Sequence, residues 1–303
     1  MPIAINTGNS AEMPEAPIEI IEKPTESVAE PAGLSKAELT DPNKIIVTVS
    51  DHQSPIVILY GPPSCGKTMT LVRLTRYLVS KGYRVVPERT FRPSSDENYQ
   101  DICDNFDQMI NSSEAATSTA RISFMLVKVL RHDGRPICQI LEAPGEYYYN
   151  PKKPTEPYPA YVNQIINSNN RKIWSIMVEP DWSDSVPRAN YVTRIANLKM
   201  QMTHRDKVLF VYNKIDLTPY VIGPGLANTK EAIRNIQSLY PNIFVPFLNQ
   251  NPITKFFTKY NCDFVPFSTG TYAPTNDGKL TYTECHELYV KNLWNSMLKM
   301  IGG

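Results

Sequence analysis

The stretch GPPSCGKT, residues 61–68, decides the fold of the chain. It satisfies the pattern G-x-x-x-x-G-K-[ST], whose glycines let consecutive backbone N–H groups turn toward one point. The segment before it, PIVILY, has the composition of a buried strand, and the segment that starts at Thr68, TMTLVRLTRYLV, places its leucines on one helical face. A strand, a tight turn and the positive end of a helix dipole together predict a loop that holds a polyphosphate.

Every residue of this loop is a candidate for phosphate binding. The candidates are Gly61, Pro62, Pro63, Ser64, Cys65, Gly66, Lys67 and Thr68. We expect the Lys67 ammonium to contact the β- and γ-phosphates and the Thr68 hydroxyl to ligate Mg²⁺. Cys65 has two readings: a thiol whose pKa the adjacent helix N-terminus lowers, or a small side chain that fills the loop.

Around this loop, short β-branched runs alternate with amphipathic segments, which is typical of a sheet covered by helices. The predicted strands are 45–49, 56–60, 83–87, 122–130, 136–142, 173–179, 207–212 and 263–267. One predicted helix directly follows the loop. The others cover 97–111, 158–168, 186–203, 228–239 and the C-terminal stretch that contains Val290, Leu293, Trp294, Met297, Leu298 and Ile301.

Two of the predicted strands, in RISFMLVKVL and RPICQILEA, are separated only by residues 131–134, of which 132–134 are turn residues. That connection is too short for a helical crossover, so the two strands should pair antiparallel. The sequence therefore predicts an α/β three-layer sandwich whose sheet is mostly parallel with one antiparallel strand.

Composition places limits on the domain organisation and on the partners. Residues 1–44 are rich in acidic residues and proline and predict a flexible tail, which leaves 45–303 as one domain. A net charge of +1 gives no signal for nucleic-acid binding, and the apolar runs are too short to span a membrane. Five scattered cysteines and the lack of a secretory signal favour a reducing cytoplasm.

A second motif ends the predicted strand in KVLFVYNKID, residues 207–216. Asn213, Lys214 and Asp216 resemble the N-K-x-D motif of the Ras-like, translation-factor-related class of P-loop GTPases. The resemblance implies that Asp216 accepts two hydrogen bonds from guanine, a pattern that adenine cannot offer. It also implies that Asn213 braces the loop and that the stem of Lys214 covers the purine ring.

Further along the chain, DFVPFSTG adds a third motif, residues 263–270. Ser268, Thr269 and Gly270 resemble the S-A-K segment whose backbone N–H contacts the guanine O6 atom in the same family. Gly270 stands where the family has lysine, so this part of the match is incomplete.

The segment LEAPGE, residues 141–146, resembles the D-x-x-G motif of these GTPases, with Glu142 in place of aspartate. The resemblance implies that Glu142 holds Mg²⁺ through water and that the Gly145 N–H contacts the γ-phosphate. A strand-end turn with a buried Pro144 is the alternative reading. Upstream, the resemblance implies that Thr119 is the switch threonine that closes over the metal.

Catalysis by this chain depends on Glu146, which stands where many members of the resembled family carry the glutamine that orients water. Glu146 could position water or act as a base, but it would also bring negative charge toward the γ-phosphate. Residues 147–161 are either a protein-partner site or a rigid surface loop. Two helical enlargements of the domain are expected, near 82–116 and 217–262.

Taken together, these motifs predict a Mg²⁺-dependent GTP-binding switch with slow GTP hydrolysis, whose cofactors are GTP or GDP and Mg²⁺. Its catalytic candidates are Lys67, Gly145 and Glu146. Two alternatives stay open at this stage: a nucleotide-binding scaffold with impaired turnover, and an ATPase or small-molecule phosphotransferase in which Asn213 and Asp216 would be incidental.

Overall fold

A computed structural model describes residues 34–111, 124–180, 182–251, 259–274 and 280–302 of the 303-residue chain. Within these residues, the main sheet has seven strands. The strands in chain order are β1 (Ile56–Tyr60), β2 (Arg84–Pro87), β3 (Met125–Leu130), β4 (Pro136–Glu142), β5 (Lys172–Val178), β6 (Lys207–Tyr212), β7 (Val221–Gly223), β8 (Leu226–Ala227), β9 (Asp263–Pro266), β10 (Gly270–Pro274) and β11 (Leu280–Glu284).

The main sheet has the order β2-β3-β4-β1-β5-β6-β9. β3 runs antiparallel to both of its neighbours, and the other pairings are parallel. The remaining strands form two separate hairpins, β7 with β8 and β10 with β11. The predicted fold class, a mostly parallel α/β sheet with one antiparallel strand, is therefore confirmed.

Helices flank this sheet. In chain order they are α1 (Lys36–Thr40), α2 (Lys67–Ser80), α3 (Glu97–Asn111), α4 (Gly145–Tyr148), α5 (Ala160–Asn167), α6 (Ser185–Gln201), α7 (Thr229–Leu239) and α8 (Glu287–Gly302). Single 3₁₀ turns occur at Pro42–Lys44, Arg89–Phe91, Ile215–Leu217 and Val245–Phe247.

The central strands form because their side chains are apolar on both faces, as a parallel sheet covered on both sides requires. All five residues of β1 and all seven of β5 are buried. On α8, the predicted apolar stripe faces the core: Val290, Leu293, Trp294 and Met297 are buried, while Leu298 and Ile301 are partly buried.

Residues 45–49 are not the strand that their alternating pattern predicts. Ile45, Val47 and Val49 are buried, but the segment is outside every sheet, and the Thr48 N–H donates to the carbonyl of Phe91. The alternating burial of these side chains thus comes from an extended segment that packs on the core, without the hydrogen-bond ladder of a strand.

The chain is packed before the predicted tail boundary at residue 44. Leu34 is buried, and α1 begins with a capping box between Ser35 and Glu38. Glu38 also forms an ion pair of 2.7 Å with the buried Arg92. The tail prediction is therefore wrong for 34–44, and the rest of the predicted tail, 1–33, lies outside the described residues.

The predicted enlargements are partly helical. Residues 82–116 include α3, at the bounds that its apolar spacing predicts, and 217–262 include α7 together with the β7–β8 hairpin. Among the described residues, no helix is both long and apolar enough to cross a membrane.

Candidate nucleotide site

The phosphate-loop sequence, residues 61–68, connects the carboxyl end of β1 to the first turn of α2. Gly66 has a φ of 88° and caps α2 without a side-chain hydrogen bond. The first N–H groups of α2 consequently lack a capping side chain, which is the arrangement that binds anions at helix N-termini. A side chain at Gly61 would come within 2.6 Å of the Cys65 sulfur.

Lys67 crosses the loop instead of pointing into solvent. Its side chain is buried, and the ammonium donates a hydrogen bond of 2.9 Å to the carbonyl of Pro62. The positive charge is thereby fixed over the loop where the sequence places the phosphates.

The two candidate metal ligands in the described residues meet directly. The hydroxyl of Thr68 donates to Glu142 Oε1 at 2.8 Å, and Glu142 is 1% exposed at the end of β4. Burial raises the pKa of Glu142 to about 8, although the charge of Lys67 and the bond from Thr68 act in the opposite direction. Glu142 Oε2 is buried without a hydrogen-bond partner among the described residues. The third predicted ligand, Thr119, lies outside these residues.

Gly145 is in contact with the phosphate loop. A Cβ atom there would lie 2.4 Å from both Pro62 C and Pro63 N, so only glycine allows this approach. Pro144 is buried, as the alternative reading of this turn expects, and it precedes α4. Glu146, the next residue, is exposed, and its charge contributes to the raised pKa of Glu142.

Asn213 ties the second motif to the loop. Its Nδ2 donates a buried hydrogen bond of 2.9 Å to the carbonyl of Cys65. A Cβ at Gly66 would lie 2.3 Å from the same Nδ2 atom, so the glycine leaves room for this amide. This hydrogen bond thus joins two motifs whose bonded residues lie 148 positions apart in the chain.

The other residues of the second motif lie on the adjoining turn. Lys214 adopts a φ of 56° and pairs with Glu179 at 2.7 Å. Asp216 is exposed in the 3₁₀ turn that follows. An exposed carboxylate three residues after Asn213, which is itself bonded to the phosphate loop, is the arrangement that the guanine prediction needs.

The third motif lies beside the second. The Ile215 N–H donates to the carbonyl of Phe267 at 3.1 Å, and Ser268 and Thr269 are buried next to it. Gly270 has a φ of 142°, and a Cβ there would approach Thr283 O to 2.2 Å. The start of β10 against β11 therefore excludes the lysine that the family carries at this position.

Cys65 is buried, and burial raises the pKa of its thiol to about 12. Its sulfur would lie only 2.6 Å from a Cβ added at Gly61, so the reading as a small side chain that fills the loop is favoured over a reactive thiol.

Sequence reasoning missed Glu179 as part of this site. It directly follows β5, and its backbone is bonded to the Tyr240 hydroxyl. Its position at the carboxyl end of a central parallel strand was the available signal, because ligands of open α/β sheets bind at that end.

Comparison with known proteins adds distant similarities only. No protein-family model and no curated protein matches the chain. A variant of SsGBP matches with a TM-score of 0.34 at 11% identity over 82% of this chain and 57% of the other, so the chain spans little more than half of that protein.

Two further solved structures are similar at the same level. A GTPase of Pyrococcus abyssi in apo form has a TM-score of 0.37 at 13% identity, covering 81% of this chain and 96% of that one. A GDP-bound Roco2 RocCORdC of Methanosarcina barkeri has a TM-score of 0.32 at 12% identity, covering 85% and 51%. At these TM-scores the similarities carry no information on function.

Proposed function

We propose that the chain is a guanine-nucleotide-binding protein that uses Mg²⁺ and acts as a switch with slow GTP hydrolysis. The observation that carries the proposal is the bond from Asn213 to Cys65, which joins the phosphate loop to the base motif. A nucleotide with its phosphates at the loop then has its base within reach of Asp216. Discrimination against adenine follows from the acceptor-only carboxylate, which pairs with the N–H groups of guanine.

The donors around Glu142 suit magnesium. Thr68 and Glu142 supply oxygen ligands, and one carboxylate oxygen has no partner among the described residues. Within the same residues, no cluster of three or more His, Cys, Asp or Glu side chains could hold a metal unaided. Thr68 and Glu142 would thus hold Mg²⁺ together with phosphate oxygens and water, and the ion would neutralise charge on the phosphates.

Slow turnover is proposed because of the charge next to Gly145. Glu146 is exposed on the first turn of α4, and it brings a negative charge to the side where the γ-phosphate would lie. Such a charge opposes the negative transition state of phosphoryl transfer unless a cation compensates it. A protein partner that supplies an arginine would accelerate the reaction, and residues 147–161 are the proposed contact surface.

Competition binding tests the base preference. GTP, GDP and ATP compete for a fluorescent GDP analogue in the presence of Mg²⁺, with wild type, Asp216→Asn and a matched carboxylate-to-amide control, Asp101→Asn, on the exposed side of α3. We expect GTP and GDP to bind roughly 30-fold or more tightly than ATP in wild type and control, a difference of about 2 kcal/mol. Asp216→Asn should abolish most of this preference.

Phosphate release then separates the switch from the scaffold. A slow, Mg²⁺-dependent release that Lys67→Ala removes supports GTP hydrolysis. Tight guanine binding without release identifies a scaffold with impaired turnover. Equal affinity for ATP and GTP in wild type would refute the guanine assignment and favour the ATPase or phosphotransferase.

A further inference from the structure

Arg194 on α6 is a buried cation with an unusual set of partners. It is 4% exposed, and in the part of the chain that the structure describes it forms no ion pair with a carboxylate. Its guanidinium instead donates to main-chain carbonyls: to Tyr148 from Nε at 2.8 Å, and to Glu156 and Pro154 from Nη1. Burying a charge is costly unless such bonds compensate it.

The guanidinium also lies on an aromatic face. Its central carbon is 3.7 Å from the centroid of the Tyr158 ring, a cation–π contact. The Tyr158 hydroxyl is in turn hydrogen-bonded to that of Tyr60 at 2.8 Å, and Tyr60 is the last residue of β1. Arg194 therefore binds both ends of the segment 148–158, and that segment is fastened to the strand that leads into the phosphate loop.

One end of this segment is the turn that carries Gly145. The helix α4 is a single turn, in which the N–H of Tyr149 donates to the Gly145 carbonyl at 2.9 Å. Arg194 binds the carbonyl of Tyr148 at the C-terminal end of that turn. Gly145, at the opposite end, contacts Pro62 and Pro63. Arg194 thus holds the C-terminal end of α4, and the first residue of α4, Gly145, lies against the phosphate loop.

We propose that Arg194 is a positioning residue that presets Gly145 at the phosphate loop and thereby gives the site its preference for a nucleoside triphosphate over a diphosphate. This inference rests on the proposed function, because it requires a guanine nucleotide in the loop. A contact that is already in place before binding needs no ordering when the γ-phosphate arrives, so it strengthens triphosphate binding. A diphosphate does not reach Gly145 and gains nothing from the arrangement.

Arginine is required at this position for its shape as well as its charge. The planar guanidinium supplies several donors in fixed directions and a flat face, whereas a lysine ammonium is a point charge on a flexible stem. Arg194→Lys therefore keeps the charge but loses the simultaneous contact with Tyr148, Glu156 and the Tyr158 ring.

The test compares two nucleotides in three variants. Dissociation constants of GDP and of a non-hydrolysable GTP analogue are measured with Mg²⁺ for wild type, Arg194→Lys and Arg194→Gln. The matched control is Arg188→Lys, which alters a bond from the same helix to another main-chain carbonyl, that of Trp182, at 2.8 Å. We expect both Arg194 variants to bind the analogue about tenfold more weakly, with GDP affinity unchanged, and the control to behave as wild type.

Retained GDP affinity also shows that the variants fold. If the two affinities fall together, or neither changes, or the control shows the same selective loss, Arg194 does not preset Gly145. Hydrogen exchange of the nucleotide-free wild type gives a test without any variant. The amides of Tyr147 and Tyr149, which donate to the carbonyls of Pro144 and Gly145, should be protected, and free exchange there would overturn the proposal. If the wild-type protein binds neither nucleotide, the proposed function itself is refuted. If the wild type binds both, but the Arg194 variants have the same ratio of GDP and GTP-analogue dissociation constants as the wild type, only this inference is refuted.

Discussion

Replacing Gly145 by alanine adds one methyl group at the closest contact between α4 and the phosphate loop. The new Cβ would lie 2.4 Å from Pro62 C and Pro63 N and 2.6 Å from Pro62 O. Favourable carbon contacts begin near 3.5 Å, so α4 must move away by about 1 Å. The atoms that it meets belong to the backbone, and they cannot move aside as a flexible side chain would.

Overpacking of this kind costs about 1–3 kcal/mol. We expect the strain to be relieved by withdrawal of Gly145 from the loop, since α4 is one short turn whereas the loop is held by β1 and α2. The GTP analogue should then bind at least about tenfold more weakly, which corresponds to about 1.4 kcal/mol. GDP should bind almost as in wild type, because it does not extend to the γ-position.

Fluorescence titration of the two nucleotides, together with thermal melting, measures both consequences. Gly302→Ala is the matched control: it adds the same methyl group in open space near the end of α8, where no atom lies within 4 Å of the added Cβ. A Gly145→Ala protein that melts and binds both nucleotides like wild type would refute the contact between Gly145 and the loop. A Gly302→Ala control that loses as much affinity for the GTP analogue as Gly145→Ala would refute it as well.

Three further predictions concern the loop and the sheet edge. Asn213→Ala removes the bond to Cys65 O and should lower the free energy of unfolding by about 1–3 kcal/mol in urea titrations; a change within error would show that the bridge is unimportant. Burial alone would raise the pKa of Glu88, but the bonds from Lys128 and Thr90 outweigh it and hold that pKa below its usual value. The ionised Glu88 therefore stabilises the protein at neutral pH, and this stabilisation is lost as pH falls below about 4.5. Glu88→Gln should flatten the dependence of the melting temperature on pH in that acid range. An unchanged acid slope would contradict this. Finally, burial raises the pKa of the Cys65 thiol to about 12, so Cys65 should react with iodoacetamide at pH 8 at least about tenfold more slowly in the native protein than in urea. Mass spectrometry of the peptide that contains Cys65 measures the two rates. Equal rates would show that the loop is open to the reagent.

The sequence was most informative where one local pattern determined the structure. The apolar run of β1 required burial on both faces, and the apolar spacing of α3 predicted its bounds, Glu97–Asn111, correctly. The short connection between β3 and β4, residues 131–135, excluded a crossover and so predicted the antiparallel pairing. In each case the constraint acts over a few neighbouring residues, and tertiary contacts agree with it.

Local pattern was insufficient where a long-range partner decides the outcome. Residues 45–49 alternate as a strand does, yet Ile45, Val47 and Val49 are buried without a ladder among the described residues, and the Thr48 N–H bonds to the Phe91 carbonyl in a 3₁₀ turn instead. In the same way, no spacing rule connects Arg194 with the segment 148–158.

The candidate site shows both situations. The motifs predicted a phosphate loop and a base-contacting turn, and the structure brings Thr68 next to Glu142 and Asn213 next to Cys65. The sequence could not indicate that Glu179 pairs with Lys214, or that β11 leaves no room for a side chain at residue 270. Those facts depend on which strands end side by side.

In the proposed function, the phosphate loop and the base motif form one guanine-nucleotide site. A crystal structure of the chain with a non-hydrolysable GTP analogue and Mg²⁺ would show whether they do. We expect the triphosphate within residues 61–68, the guanine edge hydrogen-bonded to the carboxylate of Asp216, and the metal next to Thr68 and Glu142. A nucleotide whose base lies away from Asp216, or a loop that stays empty at saturating analogue, would contradict it.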